Sequence, residues 1–278
     1  MGSSDSRLVL PLAAIFAGFF IAPLVVLLAL SLHGELAMTS WTIGNYTKFF
    51  TDPFNYSILI ATLLLGLKAT LVCLVFGFPI AWLCSRAGAR WQSVLLFLVI
   101  LPILTSVVVR TFSWIVILGR QGVLNQIVLG LHLSKEPMRL LYTEVGVVMV
   151  LAQVQMPLMV LPILTVLSKI DPNLADASRV LGAGEWRTLW KVTLPLSIPG
   201  IIAGCILTYS ASITAFVTQS LIGGARLIYM PLHIYQQAVG ANNWPFAAAI
   251  SIIFMVTVMA VIAVLSAIGR RSETYGRT

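Results

Sequence analysis

The residues that could perform chemistry are few, and their spacing forms no catalytic group. His33, His132 and His233 lie far apart in the sequence, each in a stretch that connects apolar segments, where a lone histidine is usually solvated. No GxxxxGK[ST] phosphate-binding loop, GxSxG nucleophile motif or HExxH zinc motif occurs. Each of those motifs places a nucleophile, a base or a metal where a reaction needs it. We therefore expect this chain to have no catalytic residues, no metal site and no cofactor of its own.

The cysteines also lack the spacing of a redox or metal site. Cys73, Cys84 and Cys205 lie in or at the edge of apolar runs, without a CxxC pair or a nearby histidine cluster. Isolated cysteines in apolar surroundings behave as small hydrophobic residues. We expect all three to be packing residues.

The composition indicates a membrane protein. Hydrophobic residues make up 59% of the chain and charged residues only 9%, against roughly 25% charged residues in soluble domains. Such a chain lacks the polar shell that a soluble domain of this length needs. The net charge of +8 does not indicate a nucleic-acid partner, because the Lys and Arg residues are scattered singly between apolar runs instead of forming a basic stripe.

Six apolar segments are long enough to cross a bilayer as helices, which takes about 20 residues each. No internal repeat or low-complexity linker separates them, so the sequence predicts an all-α membrane protein in which residues 1–278 form one six-helix domain. The predicted spans are approximately residues 8–32, 57–83, 93–118, 143–167, 197–222 and 246–268. The connections 41–56 and 119–142 are each long enough to hold a short interfacial helix.

The distribution of Lys and Arg predicts the orientation of these spans. With the amino terminus in the cytoplasm, the cytoplasmic segments carry about twice as many Lys and Arg residues as the external ones, in agreement with the positive-inside rule. An even number of spans then places both termini in the cytoplasm.

The longest cytoplasmic connection, residues 168–196, is predicted to contain two short helices. Asp171 can cap the first of them, and Gly182 can end it. A second helix starts near Glu185 and is expected to end at Pro195, because the residue before a proline disfavours the helical conformation. A plain interfacial hairpin without a partner would have the same elements.

This loop resembles the coupling motif of the binding-protein-dependent ABC permeases. That motif reads Glu-Ala-Ala, three residues, Gly, nine residues, Ile, one residue and Leu-Pro. The loop keeps every spacing and departs from the motif by Asp for Glu, Ser for the second Ala and Val for Ile. The resemblance implies ATPase-coupling roles for Asp176, Ala177, Ser178, Gly182, Ala183, Val192, Leu194 and Pro195.

The resemblance also implies a class of transporter and a set of partners. In type I importers of this family, the first loop helix sits in a groove of a separate ATPase and transmits the closure of that ATPase to the spans. The ATPase binds ATP and magnesium. The implied partners are a second permease subunit, two ABC ATPases and a periplasmic or lipid-anchored substrate-binding protein, at the bacterial inner membrane. The second permease is expected to be a related but different chain, and a homodimer stays open.

Within this family, residues 41–237 resemble the spermidine/putrescine permeases. The supporting stretches include FGFPIAW, LPILTSVVVRTFSWIVILGRQGVLN, QMPLMVLPIL and SLIGGAR. Permeases for aminophosphonates, ferric ion, thiamine and sulfate share parts of these patterns. The resemblance implies a small polyamine-like cargo that a binding protein delivers. The candidate residues for lining the translocation path are Thr105, Ser106, Arg110, Trp114 and Tyr209.

Ionisable residues inside the predicted spans complicate the choice of cargo. Arg110 and Glu144 lie at similar depth, which favours an ion pair between their helices; contact of Arg110 with substrate or binding protein, and snorkelling to the interface, are the alternatives. Lys68 falls near the middle of the membrane. A path for polycations should carry carboxylates or aromatic faces, yet Glu144 is the only acid in the predicted spans. An aminophosphonate, an amino-acid-derived solute or another anionic or zwitterionic cargo therefore stays open.

Other membrane functions fit the sequence less well. A secondary transporter driven by an ion gradient should carry membrane-embedded acids and broken, repeated helices, which are nearly absent from this sequence. An intramembrane hydrolase would need a nucleophile motif. A membrane scaffold without transport activity would be distinguished by its failure to bring down an ATPase on purification.

Overall fold

The computed structural model describes residues 4–275 of the chain, and the side chains of residues 15–267 other than 172 and 175. This part is almost entirely helical. In chain order its helices are α1 (Ser4–Ser31), α2 (Gly44–Thr51), α3 (Pro53–Arg86), α4 (Ala89–Leu104), α5 (Val107–Leu118), α6 (Val123–Gly130), α7 (Glu144–Leu167), α8 (Pro172–Val180), α9 (Glu185–Thr188), α10 (Leu194–Ile213), α11 (Phe216–Gly223), α12 (Met230–Tyr235) and α13 (Trp244–Tyr275). The predicted connections 41–56 and 119–142 contain the short helices α2 and α6.

Five helical stretches of the described part are long and apolar enough to cross a membrane. They are Pro53–Arg86, Val107–Gly130, Glu144–Leu167, Glu185–Ile213 and Trp244–Ala267. Two further apolar stretches are shorter, namely Ile15–Ser31, which is the part of α1 with described side chains, and Ala89–Leu104. The predicted spans 57–83, 143–167 and 246–268 correspond to α3, α7 and α13. The total of six spans and their organisation as one domain stay predictions.

The predicted span 93–118 is not one continuous helix, because the chain is extended between α4 and α5. The ψ angles of Thr105 and Ser106 are 147° and 132°. The carbonyl of Pro102 accepts hydrogen bonds from Thr105 Oγ1, at 3.0 Å, and from Arg110 Nη1. Side-chain donors thus replace the backbone N–H that a continued helix would direct at this carbonyl.

The predicted span 197–222 is also interrupted, since α10 ends at Ile213 and α11 follows as a separate helix. The fully buried Gln219 of α11 donates its side-chain amide to the carbonyls of Ser212, at 2.8 Å, and Ile213, at 3.2 Å. Carbonyls in the last turn of a helix have no partner within that helix. Gln219 therefore makes it possible for α10 to end inside an apolar run.

The chain divides into two compact units. The first comprises the described residues up to Leu59 together with His233–Thr257, and the second comprises Ile60–Leu232 with the described residues from Val258. In the first unit, the amide of Asn45 donates to the carbonyls of Ser31, at 3.1 Å, and His33, at 2.9 Å. These bonds fix the connection that follows α1.

Two histidines of the first unit are buried, so the expectation that they are solvated is wrong. His33 and His233 are 4% and 2% exposed. His33 Nδ1 lies 2.6 Å from the carbonyl oxygen of Ala29, and His233 Nε2 lies 2.9 Å from Asn55 Oδ1. Each of these partners satisfies one ring nitrogen, which lowers the cost of burying the imidazole. His132 is exposed, as expected.

The second unit is built around α7, against which α10 packs closely. A Cβ atom on Gly200 would lie 2.9 Å from the carbonyl oxygen of Pro162, and one on Gly204 would lie 3.0 Å from the carbonyl oxygen of Met159. The two glycines are four residues apart, and small residues at this spacing let membrane helices approach each other closely. The interior also contains the cysteines: Cys73 and Cys84 are fully buried and Cys205 is half-buried, which confirms them as packing residues.

Candidate functional site

The loop between α7 and α10 begins with α8, and both ends of this helix are capped as the sequence predicts. At its start, the Asp171 carboxylate accepts a hydrogen bond of 2.9 Å from the backbone N–H two residues on. At its end, Gly182 N donates to Arg179 O at 2.9 Å and Ala183 N donates to Ser178 O at 3.1 Å. This pair of bonds is the Schellman motif. It requires the left-handed backbone that Gly182 adopts, with φ of 81°, at no steric cost to glycine.

A chain of ion pairs connects α8 with the start of α9 and the end of α3. Arg179 contacts Asp176 at 3.2 Å and Glu185 at 2.8 Å. Glu185 also contacts Arg86 at 3.3 Å. Exposed pairs each contribute about 0–1 kcal/mol, so the network orients α8 more than it stabilises the fold. Asp176, one of the residues with an implied coupling role, is engaged by Arg179 of its own helix.

The loop presents apolar side chains on its surface. Ser178 Oγ lies 2.8 Å from Thr188 Oγ1, so this side of α8 faces α9. Val180 and Leu181, at the end of α8, are each 87% exposed. We define the apolar face of the loop as Leu174, Val180, Leu181, Trp186 and Trp190, all of which are exposed. Exposed apolar side chains grouped in this way are typical of a contact with a partner or a membrane.

The second loop helix does not end at Pro195, contrary to the sequence-based expectation. α9 continues through a π-helical turn, Leu189–Thr193, so that Glu185–Ile213 is one helical stretch. The first N–H of α10 donates to the carbonyl of Leu189, five residues back. Local π-helical turns let helices accommodate a proline, which has no N–H to donate. Val192, which we predicted as a coupling residue, lies in this turn.

The two cations inside the predicted spans, Lys68 and Arg110, have partners that differ from the predicted Arg110–Glu144 pair. Glu144 pairs with Lys68, whose Nζ lies 2.5 Å from the carboxylate Oε1, so the predicted Arg110–Glu144 ion pair is not formed. Arg110 instead donates from Nη1 to the carbonyl of Pro102. The break between α4 and α5 is the reason, because it leaves this carbonyl without a backbone donor. A guanidinium at the end of α4 also meets the negative end of the helix dipole.

Tyr229 lies close enough to this ion pair to be affected by it. Burial, and to a lesser extent the Glu144 carboxylate, raise the pKa of Tyr229 to about 12. The phenol therefore stays protonated at neutral pH. The next backbone N–H, that of Met230, donates to Thr62 Oγ1 at 2.9 Å and ties this segment to α3.

The two helix breaks line one cavity, which we call the break cavity. Its volume is about 500 Å³. Thr105 lines it at the first break and Thr214 at the second, with Arg110, Gln155 and Thr218 as further polar lining residues. Arg110 Nε is buried and has no hydrogen-bond partner among the described residues. The other lining side chains are apolar. Discontinuous helices around a cavity at membrane depth are typical of solute sites in membrane transporters, and two of the predicted path residues, Thr105 and Arg110, lie together here.

The other predicted path residues do not line the break cavity. Ser106 is exposed at the start of α5. Trp114 lines a second, mainly apolar cavity of about 470 Å³, and its Nε1 donates to Gln153 Oε1 at 3.1 Å. Tyr209 is only 4% exposed and packs beside Gly66, where an added Cβ would lie 3.1 Å from the tyrosine ring. Tyr209 is therefore a core residue of this chain.

Sequence reasoning missed several polar residues at the helix breaks. Gln155 lies inside a predicted span, and a glutamine in an apolar run was a usable signal, because its amide needs partners in the membrane. Thr214 and Gln219 fall within the predicted fifth span and carried the same signal for the second break. The spacing of Gly200 and Gly204 is the pattern that predicts a close helix contact.

Comparison with known proteins shows the family to which this chain belongs. Residues 74–273 match the family described as binding-protein-dependent transport system inner membrane component. The spermidine/putrescine transport system permease protein PotB of Haemophilus influenzae is 36% identical to this chain over 211 residues. The matched region covers 76% of this chain and 73% of PotB.

Solved structures of bacterial ABC importers share the fold. One is a bacterial ABC transporter involved in the import of the acidic polysaccharide alginate, with a TM-score of 0.76, 17% sequence identity and coverage of 96% of this chain and 94% of that chain. A second is a bacterial alginate ABC transporter in complex with an alginate pentasaccharide-bound periplasmic protein, with a TM-score of 0.75, 18% identity and coverage of 96% and 93%. At these identities the likeness concerns the fold alone. Since the family match extends over most of the chain, this protein belongs to the binding-protein-dependent inner membrane components, the membrane-embedded permease subunits of ABC importers whose ATPase lies in a separate subunit.

Proposed function

We propose that this chain is the permease subunit of a bacterial inner-membrane importer for polyamine-like solutes. Its single permease domain crosses the membrane six times, with α1, α3, α4 followed by α5, α7, α9 continued by α10, and α13, and both termini are cytoplasmic. The third crossing is built from two helices of 16 and 12 residues. Neither is long enough alone, but together they exceed the about 20 residues that a span needs.

The observation that carries this proposal is the exposed loop between α7 and α10, which we assign as the ATPase contact. Its apolar face offers surface that a partner can bury. Ala177 is small and exposed on α8, which permits close approach of that helix to the groove of a partner. The Schellman motif at Gly182 fixes the angle at which α8 leaves the rest of the loop.

The helical connection from the loop into the membrane supplies a route for mechanical coupling. α9 runs through the π-helical turn into α10 without an interruption, so a displacement of the loop is transmitted along a rigid element. α10 in turn packs closely against α7 at Gly200 and Gly204, where an added Cβ would meet backbone atoms of α7 at about 3 Å. Closely packed helices shift as bodies instead of deforming. ATPase closure is thus proposed to move α10 and α7 together.

The importer is proposed to contain further subunits. A second permease, related to this chain but distinct from it, completes the translocation path. Two ABC ATPases bind ATP and magnesium and dock on the loops of the two permeases, and a substrate-binding protein delivers the cargo. The binding-protein-dependent character of the family and its polyamine relatives support this composition.

A polyamine-like cargo is supported by the relatives and by the ion pair that neutralises Lys68. Lys68 is paired with Glu144, and Arg110 is turned toward a backbone carbonyl. The pairing of Lys68 with a carboxylate removes one of the two objections that the sequence raised, whereas Arg110 keeps its positive charge. We assign Thr105 and Arg110 to the path lining of the break cavity, with Ser106 beside them.

The coupling assignment is tested with a matched pair of glycine substitutions. Gly182→Asp places a side chain at φ of 81°, where L-residues are strained by about 1–2 kcal/mol. Gly184→Asp adds the same charge two residues away, at φ of −67°, in the N-cap position of α9 where aspartate is favoured. A Cβ atom added at either position meets no neighbour within 4 Å. We expect Gly182→Asp, but not Gly184→Asp, to lower cargo uptake and the ATP hydrolysis that binding protein stimulates in the assembled importer. Equal behaviour of the two variants would contradict our assignment of the loop.

The cargo is tested by uptake of labelled spermidine into proteoliposomes that contain the complete importer and its binding protein. Unlabelled putrescine is expected to compete, whereas an aminophosphonate and a neutral amino acid are not. Competition by the anionic or zwitterionic compounds alone would refute the polyamine assignment and leave the coupling assignment intact.

A further inference from the structure

A cavity lined by three arginines lies at the amino-terminal end of α7. Its volume is about 590 Å³, and it is formed where α5 and α11 end and α7 begins. Arg120, Arg139 and Arg226 line it, and all three are exposed. We call this site the arginine cavity.

The three arginines have no acidic partner in the part of the chain that the structure describes. Its salt bridges use Lys68, Arg86 and Arg179 as cations. No aspartate or glutamate lines the arginine cavity. Guanidinium groups gathered around one cavity repel each other, and an anion that enters between them relieves this repulsion. The planar donor fork of arginine fits a carboxylate well.

The backbone around the arginine cavity is held in place by buried hydrogen bonds. The fully buried Asn125 donates from Nδ2 to the carbonyls of Gly119 and Met138, at 3.0 Å each, and its Oδ1 accepts from Met138 N at 2.8 Å. Gly119 precedes Arg120 and Met138 precedes Arg139 in the chain. One buried side chain thus fixes the positions of two of the three arginines.

The segment before α7 is fixed to the segment after α11 in the same region. Tyr142 N donates to Ile222 O at 3.0 Å. The ring of Tyr142 lies over Gly224, where an added Cβ would be 2.6 Å from Cδ1. Gly224 has φ of 59°, a conformation that favours glycine. These contacts fix the backbone of the segments that carry Arg139 and Arg226, so the backbone of the arginine cavity is preorganised.

The arginine cavity and the ATPase-contact loop lie at opposite ends of α7. Thr143, the N-cap of α7, lines the cavity, and Ser168, the C-cap, begins the loop. The 24 residues of α7 span about 36 Å at 1.5 Å per residue, enough to cross the hydrocarbon core. With the loop in the cytoplasm, as we proposed above, the arginine cavity opens on the outer side of the membrane.

We propose that the arginine cavity is a docking site for acidic side chains of the substrate-binding protein. The inference rests on the proposed function, because it uses the orientation with a cytoplasmic loop. A polycationic cargo would be repelled by three unpaired arginines, so the cavity fits a docking contact and not a cargo site. The family is binding-protein-dependent, so a partner must approach this side of the permease.

The proposal is tested with the complete importer in lipid nanodiscs and its purified binding protein. The variants are Arg120→Gln, Arg139→Gln and Arg226→Gln, singly and combined, and the matched control is Lys135→Gln, an exposed cation of the same connection that does not line the cavity. The measurements are the Kd for the binding protein at low and high salt and the ATP hydrolysis that it stimulates. Because the arginines are exposed, glutamine leaves the packed interior intact, and gel filtration checks assembly.

We expect each single variant to raise the Kd by about fivefold and the triple variant by about a hundredfold. The triple variant should also lose most of the salt dependence of association, and the control should change the Kd less than twofold. In the charge-reversed variant Arg139→Glu, a lysine in place of an acidic surface residue of the binding protein should restore binding. Rescue of this kind is specific to a direct contact.

Three results would overturn the proposal. The first is an unchanged Kd for the triple variant. The second is an unchanged Kd with loss of the response to phosphatidylglycerol in the nanodisc, which would assign the cavity to a lipid headgroup. The third is an unchanged Kd with an altered cargo preference. The Gly182→Asp experiment reports on the loop alone, so a failure of the proposed function is distinguishable from a failure of this inference.

Discussion

The close crossing of α10 over α7 predicts that a single methyl group at Gly200 destabilises the permease. In Gly200→Ala, the new Cβ would lie 2.9 Å from the Pro162 carbonyl oxygen, 3.0 Å from Ile163 Cα and 3.0 Å from Val166 Cγ2. Two of these three atoms belong to the backbone of α7, which cannot rotate away as a side chain can. The two helices must therefore separate by a few tenths of an ångström.

The magnitude follows from two opposing effects. Alanine is favoured over glycine in a helix by about 1 kcal/mol, while overpacking of a close contact costs about 1–3 kcal/mol. The matched control is Gly18→Ala, since Gly18 also lies within an apolar helix and an added Cβ there meets nothing within 4 Å. The control receives the gain without the cost. Gly200→Ala should therefore be less stable than Gly18→Ala by about 1–3 kcal/mol.

Thermal unfolding of the two purified variants in the same detergent measures this difference. For a protein of this size, about 1 kcal/mol corresponds to a change in Tm of roughly 2–4 °C, so Gly200→Ala should unfold roughly 2–12 °C below Gly18→Ala. Uptake should fall as well, because α10 is proposed to move with α7. Equal Tm values for the two variants would refute the close packing of these helices.

Two further predictions concern polar residues. In a double-mutant cycle, Lys68→Met and Glu144→Gln should show a coupling energy of about 0.5–2 kcal/mol in unfolding, whereas Arg110→Met and Glu144→Gln should be additive; coupling of the second pair alone would restore the original sequence-based pairing. Burial lowers the pKa of His233 below 6.5, against the opposing effect of the Asp52 carboxylate. The neutral ring is thus favoured in the folded state, so its stabilising effect is present above about pH 6.5 and is lost as the pH falls through the folded-state pKa. The Tm of the wild type should therefore fall more steeply between pH 7.5 and pH 5 than that of His233→Gln, and parallel profiles would argue against a buried neutral His233.

The long apolar helices and the caps of the loop could be predicted from the sequence because they depend on local information. The length of an apolar run predicts α3, α7 and α13, and Asp171 and Gly182 have the residue types that helix ends require. The pairing of Lys68 with Glu144 could not be predicted in this way. The two residues are separated by 76 positions, and their contact depends on how α3 and α7 are rotated about their axes.

The helix breaks escaped prediction for a different reason. Hydropathy measures the average apolar character of a segment, and both interrupted spans are apolar enough on average to be predicted as one helix each. Whether the helix continues depends on side chains that can replace backbone hydrogen bonds, namely Arg110 and Thr105 at the first break and Gln219 at the second. Arg110 was therefore interpreted as the partner of an acidic side chain, whereas its side chain donates to a backbone carbonyl.

The proposed contacts of this permease with its partners lie at the two ends of one helix, α7. Its amino-terminal end lines the arginine cavity, its carboxyl-terminal end leads into the ATPase-contact loop, and its middle touches α10 at Met159. If α7 and α10 move as packed bodies, docking of the binding protein and closure of the ATPases bias the same equilibrium. Thermodynamic linkage then requires reciprocity: the factor by which docking favours closure equals the factor by which closure tightens docking. In this proposal no chain of intermediate residues is needed to carry the signal, because one helix leads from the arginine cavity to the proposed ATPase-contact loop.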